Sequence, residues 1–142
     1  VIGEPMDKRL FYLLNKARHR VYRVADQHCE EELDVSVTQL GALMVVAGDD
    51  GCQLKAVAQS LSLNNSAVTG LVGRMEQRGL LERHACAEDG RSTRLYLSDL
   101  GRQKIDGARP MIQALNDRMM EGFSDDEVTV ILRFLNRLVD EF

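Results

Sequence analysis

The pattern of apolar residues predicts a mainly α-helical chain with one small β-hairpin, and three observations predict it. Apolar residues recur at three- and four-residue spacing along most of the chain. Between residues 81 and 97 the period changes to two. Helix-starting and helix-stopping residues, Ser36, Asn64, Gly79, Ser98 and Ser124, fall at the joints of this pattern.

In chain order, a first helix is expected over residues 7–28, with Leu10, Leu14, Ala17, Val21, Val24 and Ala25 near one stripe. Ser36 starts a second helix. Gln39 three residues later completes a capping box, with Val35 and Leu40 at the staple positions. The apolar run 40–47 fits a buried helix, closed by the loop chemistry of Gly48, Asp49, Asp50 and Gly51. Residues 53–61 read as a short helix presenting Leu54, Val57, Ala58 and Leu61. After a tight connection at Ser62 and Leu63, Asn64 or Asn65 caps a helix running to Arg78. Its buried positions are Val68, Leu71, Val72 and Met75, and Gly79 stops it.

Residues 81–85 and 93–97 alternate as strands, joined by an Asp-Gly turn signal at Asp89 and Gly90. Ser98 then caps a long helix over 98–122, in which Pro110 predicts a kink. A last helix over 124–141 opens with a Ser124–Glu127 capping box and carries Val128, Ile131, Leu135 and Leu138 in a stripe.

The chain has 142 residues, 44% hydrophobic and 28% charged, which suits one domain with a helical appendage. That composition excludes a disordered tail, a collagen-like fibre and a disulfide scaffold. The longest apolar run, 42–47, is far short of the ~20 residues that span a bilayer, so no membrane partner is expected. Glu4, Asp7, Lys8 and Arg9 interrupt the N-terminal stretch early, so no secretory signal is expected there. Three cysteines without a C-x-x-C point to a reducing compartment, and a cytoplasmic location is expected.

Helix, helix, short helix, tight turn, helix and hairpin, in that order from 36 to 98, is a winged helix-turn-helix. The net charge of −4 is unpromising for a nucleic-acid binder, but its distribution matters more. Residues 53–105 carry eight basic and five acidic side chains, while both ends are acidic. The helix after Ser62 buries one face and leaves the other free to enter a major groove. Its free positions are Asn65, Ser66, Thr69, Gly70, Gly73 and Gln77, the first four clustered at the N-terminal end, where backbone N–H groups and the macrodipole suit phosphate. Gly70 and Gly73 each cost the helix roughly 1 kcal/mol relative to Ala. Either they let backbone approach DNA closely, or they accommodate another helix.

Residues 64–83 resemble the recognition helix and first wing strand of the MarR family of winged helix-turn-helix transcriptional regulators. The segment Glu88-Asp89-Gly90-Arg91-Ser92 is similar to the family's D-x-R wing signature, and Leu97-Ser98-Asp99-Leu100-Gly101-Arg102 to its L-T-x-x-G-R motif. The resemblance covers residues 57–102 in motif and the whole chain in element order. It implies a cytoplasmic, homodimeric repressor of double-stranded DNA. Residues 1–35 and 106–142 would form a helical dimerisation region and 36–105 the DNA-binding lobe. It also implies a small-molecule effector and a pseudo-palindromic operator, with no cofactor.

By the same resemblance, Ser66 and Thr69 contact phosphate or bases, and Arg91 reaches into the minor groove from the wing tip. Asp89 supports the wing by pairing with an arginine, Arg74 being the expected partner, and Arg94 meets phosphate or stays solvated. The sequence departs from the family at Gly70 and Gly73, where larger polar residues are common, which shifts weight to Asn65, the helix N-terminus and the wing. For the effector, a small aromatic anion is expected against His19, Arg20, Arg23 and Met111.

Cys29, Cys52 and Cys86 raise a thiol-based redox sensor as an alternative, but none has a cationic neighbourhood to favour a thiolate. His84 and Cys86 supply at most two ligands from one strand, so no metal is expected. No nucleophile–base order or phosphate loop appears, and no enzyme is expected. A winged-helix module that binds protein and not DNA is the remaining alternative.

Overall fold

The computed structural model describes residues 5–85 and 92–142. Its elements are α1 (Leu10–Leu33), α2 (Val37–Gly48), β1 (Cys52–Gln53), α3 (Leu54–Leu61), α4 (Asn65–Gln77), β2 (Leu81–Ala85), β3 (Thr93–Leu97), α5 (Asp99–Met120) and α6 (Asp125–Glu141). This is the mainly helical winged-helix architecture that the sequence predicts. The chain divides into two compact units, Val1–Arg109 and Pro110–Phe142.

In the first unit, α2, α3 and α4 pack around a core of Leu43, Val46, Val57, Val72, Met75, Leu80 and Leu95, all fully buried. Each such side chain contributes roughly 1.5–3 kcal/mol when removed from water. Two of the expected caps close as expected. Ser36 Oγ accepts from Gln39 N at 3.0 Å while Gln39 Oε1 accepts from Ser36 N at 3.0 Å, and Asn64 Oδ1 accepts from Ala67 N at 2.8 Å. The wing strands β2 and β3 are antiparallel with Leu81 opposite Leu97 and Arg83 opposite Leu95.

Two features differ from the sequence reading. A third strand, β1, pairs with the outer side of β3, Cys52 opposite Leu95. Two residues are too few to show a period. The first helix also runs on to Leu33, five residues past the expected end, and Cys29 joins the core completely buried. The three consecutive glutamates, Glu30 to Glu32, hid this last turn as a loop. At the other end of the same stripe, Leu10 and Leu14 remain exposed.

The start of α5 rests on the corner between α4 and β2. Ser98 Oγ donates to Gly79 O at 2.6 Å and accepts from Gly101 N at 3.0 Å. A Cβ built on Gly101 would stand 2.3 Å from the Leu80 carbonyl oxygen and 3.1 Å from Leu43 and Leu97 side-chain carbons. Backbone cannot retreat as a flexible side chain does, so only glycine fits. Gly101→Ala should therefore cost about 3 kcal/mol, read as a lower urea midpoint. Helix propensity alone would raise stability by up to ~1 kcal/mol, and such a rise would overturn the packing argument.

The second unit comprises the last turns of α5, which runs through Pro110 without interruption, and α6. Ser124 and Glu127 close the expected capping box at 2.9 and 3.2 Å. No residue of α6 is buried, and Val130, Ile131, Leu132, Leu135 and Val139 are exposed. With Met119, Met120 and Val128, three of these side chains (Ile131, Leu132 and Leu135) line an apolar groove of about 340 Å³.

Candidate nucleic-acid interface

Helix α4 owes its position to Val68, Leu71, Val72 and Met75, which fasten one face to the core. The opposite face carries Asn65, Ser66, Thr69 and Arg74 exposed, with Gly70 and Gly73 half-buried. Asn64 satisfies the N–H of Ala67, so the first-turn N–H groups of Asn65 and Ser66 have no intrahelical acceptor and point along the positive end of the helix. Thr69 is partly committed: its hydroxyl donates to Asn65 O at 2.7 Å. It meets phosphate as a donor only by rotating away from that carbonyl.

The remaining expected contacts are unevenly placed. Arg74 folds back along α4 over Gly70. Arg94, on β3, donates from Nη1 to Gly51 O at 2.9 Å, which ties the turn before β1 to the wing. Asp89 and Arg91 lie outside the described residues, so the expected pairing of Asp89 with Arg74 does too. His19, Arg20 and Arg23 are exposed on α1, and Met111 is half-buried in the second unit.

Sequence reasoning missed Arg78. Its guanidinium donates from Nη1 to Gln39 Oε1 at 3.2 Å and from Nη2 to Asp34 Oδ2 at 3.2 Å and to the Asp34 main-chain oxygen. The ends of α1, α2 and α4 thus meet on one cation, well placed for the carbonyl-rich C-termini of α1 and α4. The one available signal was a basic residue beside the helix-stopping Gly79. A second tie, Arg83 Nε to Glu76 Oε2 at 3.6 Å, links β2 to α4.

The two described thiols are placed against reactivity. Cys29 and Cys52 are buried. Burial first, then Asp26, Glu30 and Glu32 around Cys29 and Asp49 beside Cys52, pushes both thiols above their usual range. At neutral pH the thiolate fraction falls accordingly. In a Cys86→Ser variant, which removes the cysteine outside the described residues, a thiol-reactive dye should label the folded chain only as it unfolds. Labelling of the native protein within minutes would restore Cys29 and Cys52 as redox-sensing candidates. Among the described residues, no three of His, Cys, Asp or Glu gather as a metal site, and no helix is long and apolar enough to cross a membrane.

The profile of the MarR family matches residues 33–92. The HTH-type transcriptional regulator MgrA of Staphylococcus aureus is 24% identical over 139 residues, covering 96% of this chain and 92% of that protein. Over that segment the chain is similar to the MarR family of transcriptional regulators. Among solved MarR-type folds, the S. aureus MepR–DNA complex superposes with a TM-score of 0.85 at 20% identity, covering 95% of this chain and 99% of that one. Bordetella bronchiseptica BpsR, whose DNA binding is regulated by 6-hydroxynicotinic acid, gives a TM-score of 0.82 at 20% identity over 93% and 99% of the two chains. These two likenesses are of fold. They agree with the winged helix-turn-helix read from residues 36–98, and the family match overlaps most of the segment whose motifs carried the resemblance.

Proposed function

We propose that this chain is a MarR-type, homodimeric, DNA-binding transcriptional repressor released by a small molecule. The observation that carries the reading is α4: a helix held by one face, whose free end offers unsatisfied N–H groups, Asn65, Ser66 and Thr69 from the basic part of the chain. Residues 36–105 form the DNA-binding lobe, and residues 1–35 and 106–142 carry the dimer contacts. Asn65, Ser66, Thr69, Gly70 and Arg74 meet the major groove and its phosphates. Arg91 enters the minor groove with Asp89 as its support, and Arg94 makes a side-on phosphate contact. The protein works in the bacterial cytoplasm, where the chromosome lies.

A two-fold dimer presents paired lobes, so the operator is pseudo-palindromic with half-sites about one helical turn apart. Enrichment of duplexes from a random-sequence pool, followed by footprinting, should recover that symmetry. Failure to enrich any duplex would favour the protein-binding alternative.

The effector is an aromatic anion, as 6-hydroxynicotinic acid is for BpsR. His19, Arg20 and Arg23 supply cationic or hydrogen-bonding partners for a carboxylate on α1. Release requires the ligand to prefer the conformation with misplaced recognition helices, since equal affinity for both forms shifts nothing. The first compound to test is 6-hydroxynicotinic acid itself, by thermal shift and then by displacement from the enriched duplex.

A further inference from the structure

We propose that Gly70 is a positioning residue that seats the guanidinium of Arg74 against the recognition helix. This rests on the DNA-binding reading of α4 above. The two glycines of the exposed face are not equivalent. A Cβ on Gly73 would meet nothing within 4 Å. A Cβ on Gly70 would lie 3.1 Å from Arg74 Nη1 and 3.9 Å from its Cζ. Residues four apart stack on a helix surface, and long side chains point back towards the N-terminus. With no side chain at position 70, the guanidinium of Arg74 lies along the bare backbone instead of standing off it.

One consequence follows from this packing. The charge of Arg74 is carried about one turn closer to Asn65 and Ser66 and to the positive end of α4, which concentrates anion-binding groups at the end that enters the groove. The open backbone at Gly70 is what lets the guanidinium lie this close to the helix. Glycine in a helix interior is unfavourable by propensity. Its use here buys the placement of a cation.

The test is a double-mutant cycle with Gly70→Ala and Arg74→Ala, read on a duplex that the wild-type protein enriches from a random pool. Gly70→Ala favours the helix, so the variant should fold and melt at or above the wild-type temperature. The added methyl forces the guanidinium to give way, and DNA affinity should fall about 3- to 10-fold, part of the range of one good arginine contact. In the Arg74→Ala background the same substitution should change affinity by less than about twofold, because the group that Gly70 positions is gone.

Equal losses from Gly70→Ala in both backgrounds would show that Gly70 serves close backbone approach, and would overturn the proposal. Unchanged affinity in Gly70→Ala would overturn it too, while leaving the DNA-binding reading intact. If the wild-type protein enriches no duplex, the DNA-binding reading itself falls, and this inference with it.

Discussion

Raising the salt from about 50 to 200 mM should weaken duplex binding by roughly a thousandfold. The expectation follows from the distribution of charge. On the proposed reading, each lobe meets phosphate with the N–H groups of Asn65 and Ser66 and with Arg74, Arg91 and Arg94 from the basic segment 53–105. A dimer neutralising ~6 phosphates releases their counterions, with a log–log slope of about −0.9 for each. The net charge of −4 works the other way, since salt screens the repulsion between acidic chain ends and DNA. That repulsion acts across a wide separation, whereas the phosphate contacts are made at hydrogen-bonding distance, so the steep negative slope should survive. A flat response in a fluorescence-anisotropy titration would mean that α4 and the wing do not meet phosphate.

Leu135→Asp should dissociate the proposed dimer, raising its dissociation constant by about 10³-fold or more. Leu135 lies exposed on α6 beside Ile131 and Leu132, on a face where nothing is buried within the chain. In a two-fold interface the substitution occurs twice. It removes two apolar side chains, each worth roughly 1.5–3 kcal/mol on burial. It also places two carboxylates where water is excluded. The core around Leu43 and Met75 belongs to the unit Val1–Arg109 and should be untouched, so helical content should persist. Light scattering at micromolar concentration reads the outcome. A variant that remains dimeric would move the interface elsewhere, and a wild-type monomer would remove the paired half-sites as well.

Local chemistry made most of the fold legible. The two capping boxes, at Ser36 with Gln39 and at Ser124 with Glu127, declare themselves within four residues, and both are present. Strands 81–85 and 93–97 were readable because alternation persists for five residues on each side of a turn signal. What stayed hidden depends on partners far away in sequence. Strand β1 exists only because β3 offers it an edge. The Arg78 clamp joins residues 44 apart, and no spacing rule reaches that far. The glycine at 101 could be matched to a motif, but its reason, the Leu80 carbonyl oxygen, needs coordinates. At the interface, residue types and helix face were legible. The commitment of Thr69 to Asn65 and of Arg94 to Gly51 was not, because a side chain's nearest acceptor is a property of the fold.

The clamp at Arg78 makes a lever of α4 together with the core to which its buried face is fastened, with the fulcrum at the clamp. The C-terminal end is pinned to the junction of α1 and α2, while the exposed first turn at Asn65 and Ser66 is the end farthest from it. Thirteen residues place the tip about 20 Å from the fulcrum at 1.5 Å per residue. A tilt of about 5° there swings the tip by nearly 2 Å, enough to take an N–H group out of reach of a phosphate oxygen. On the proposed DNA-binding reading, whatever turns the end of α1 by a few degrees is therefore magnified into the difference between a lobe in register with its groove and one that has lost it.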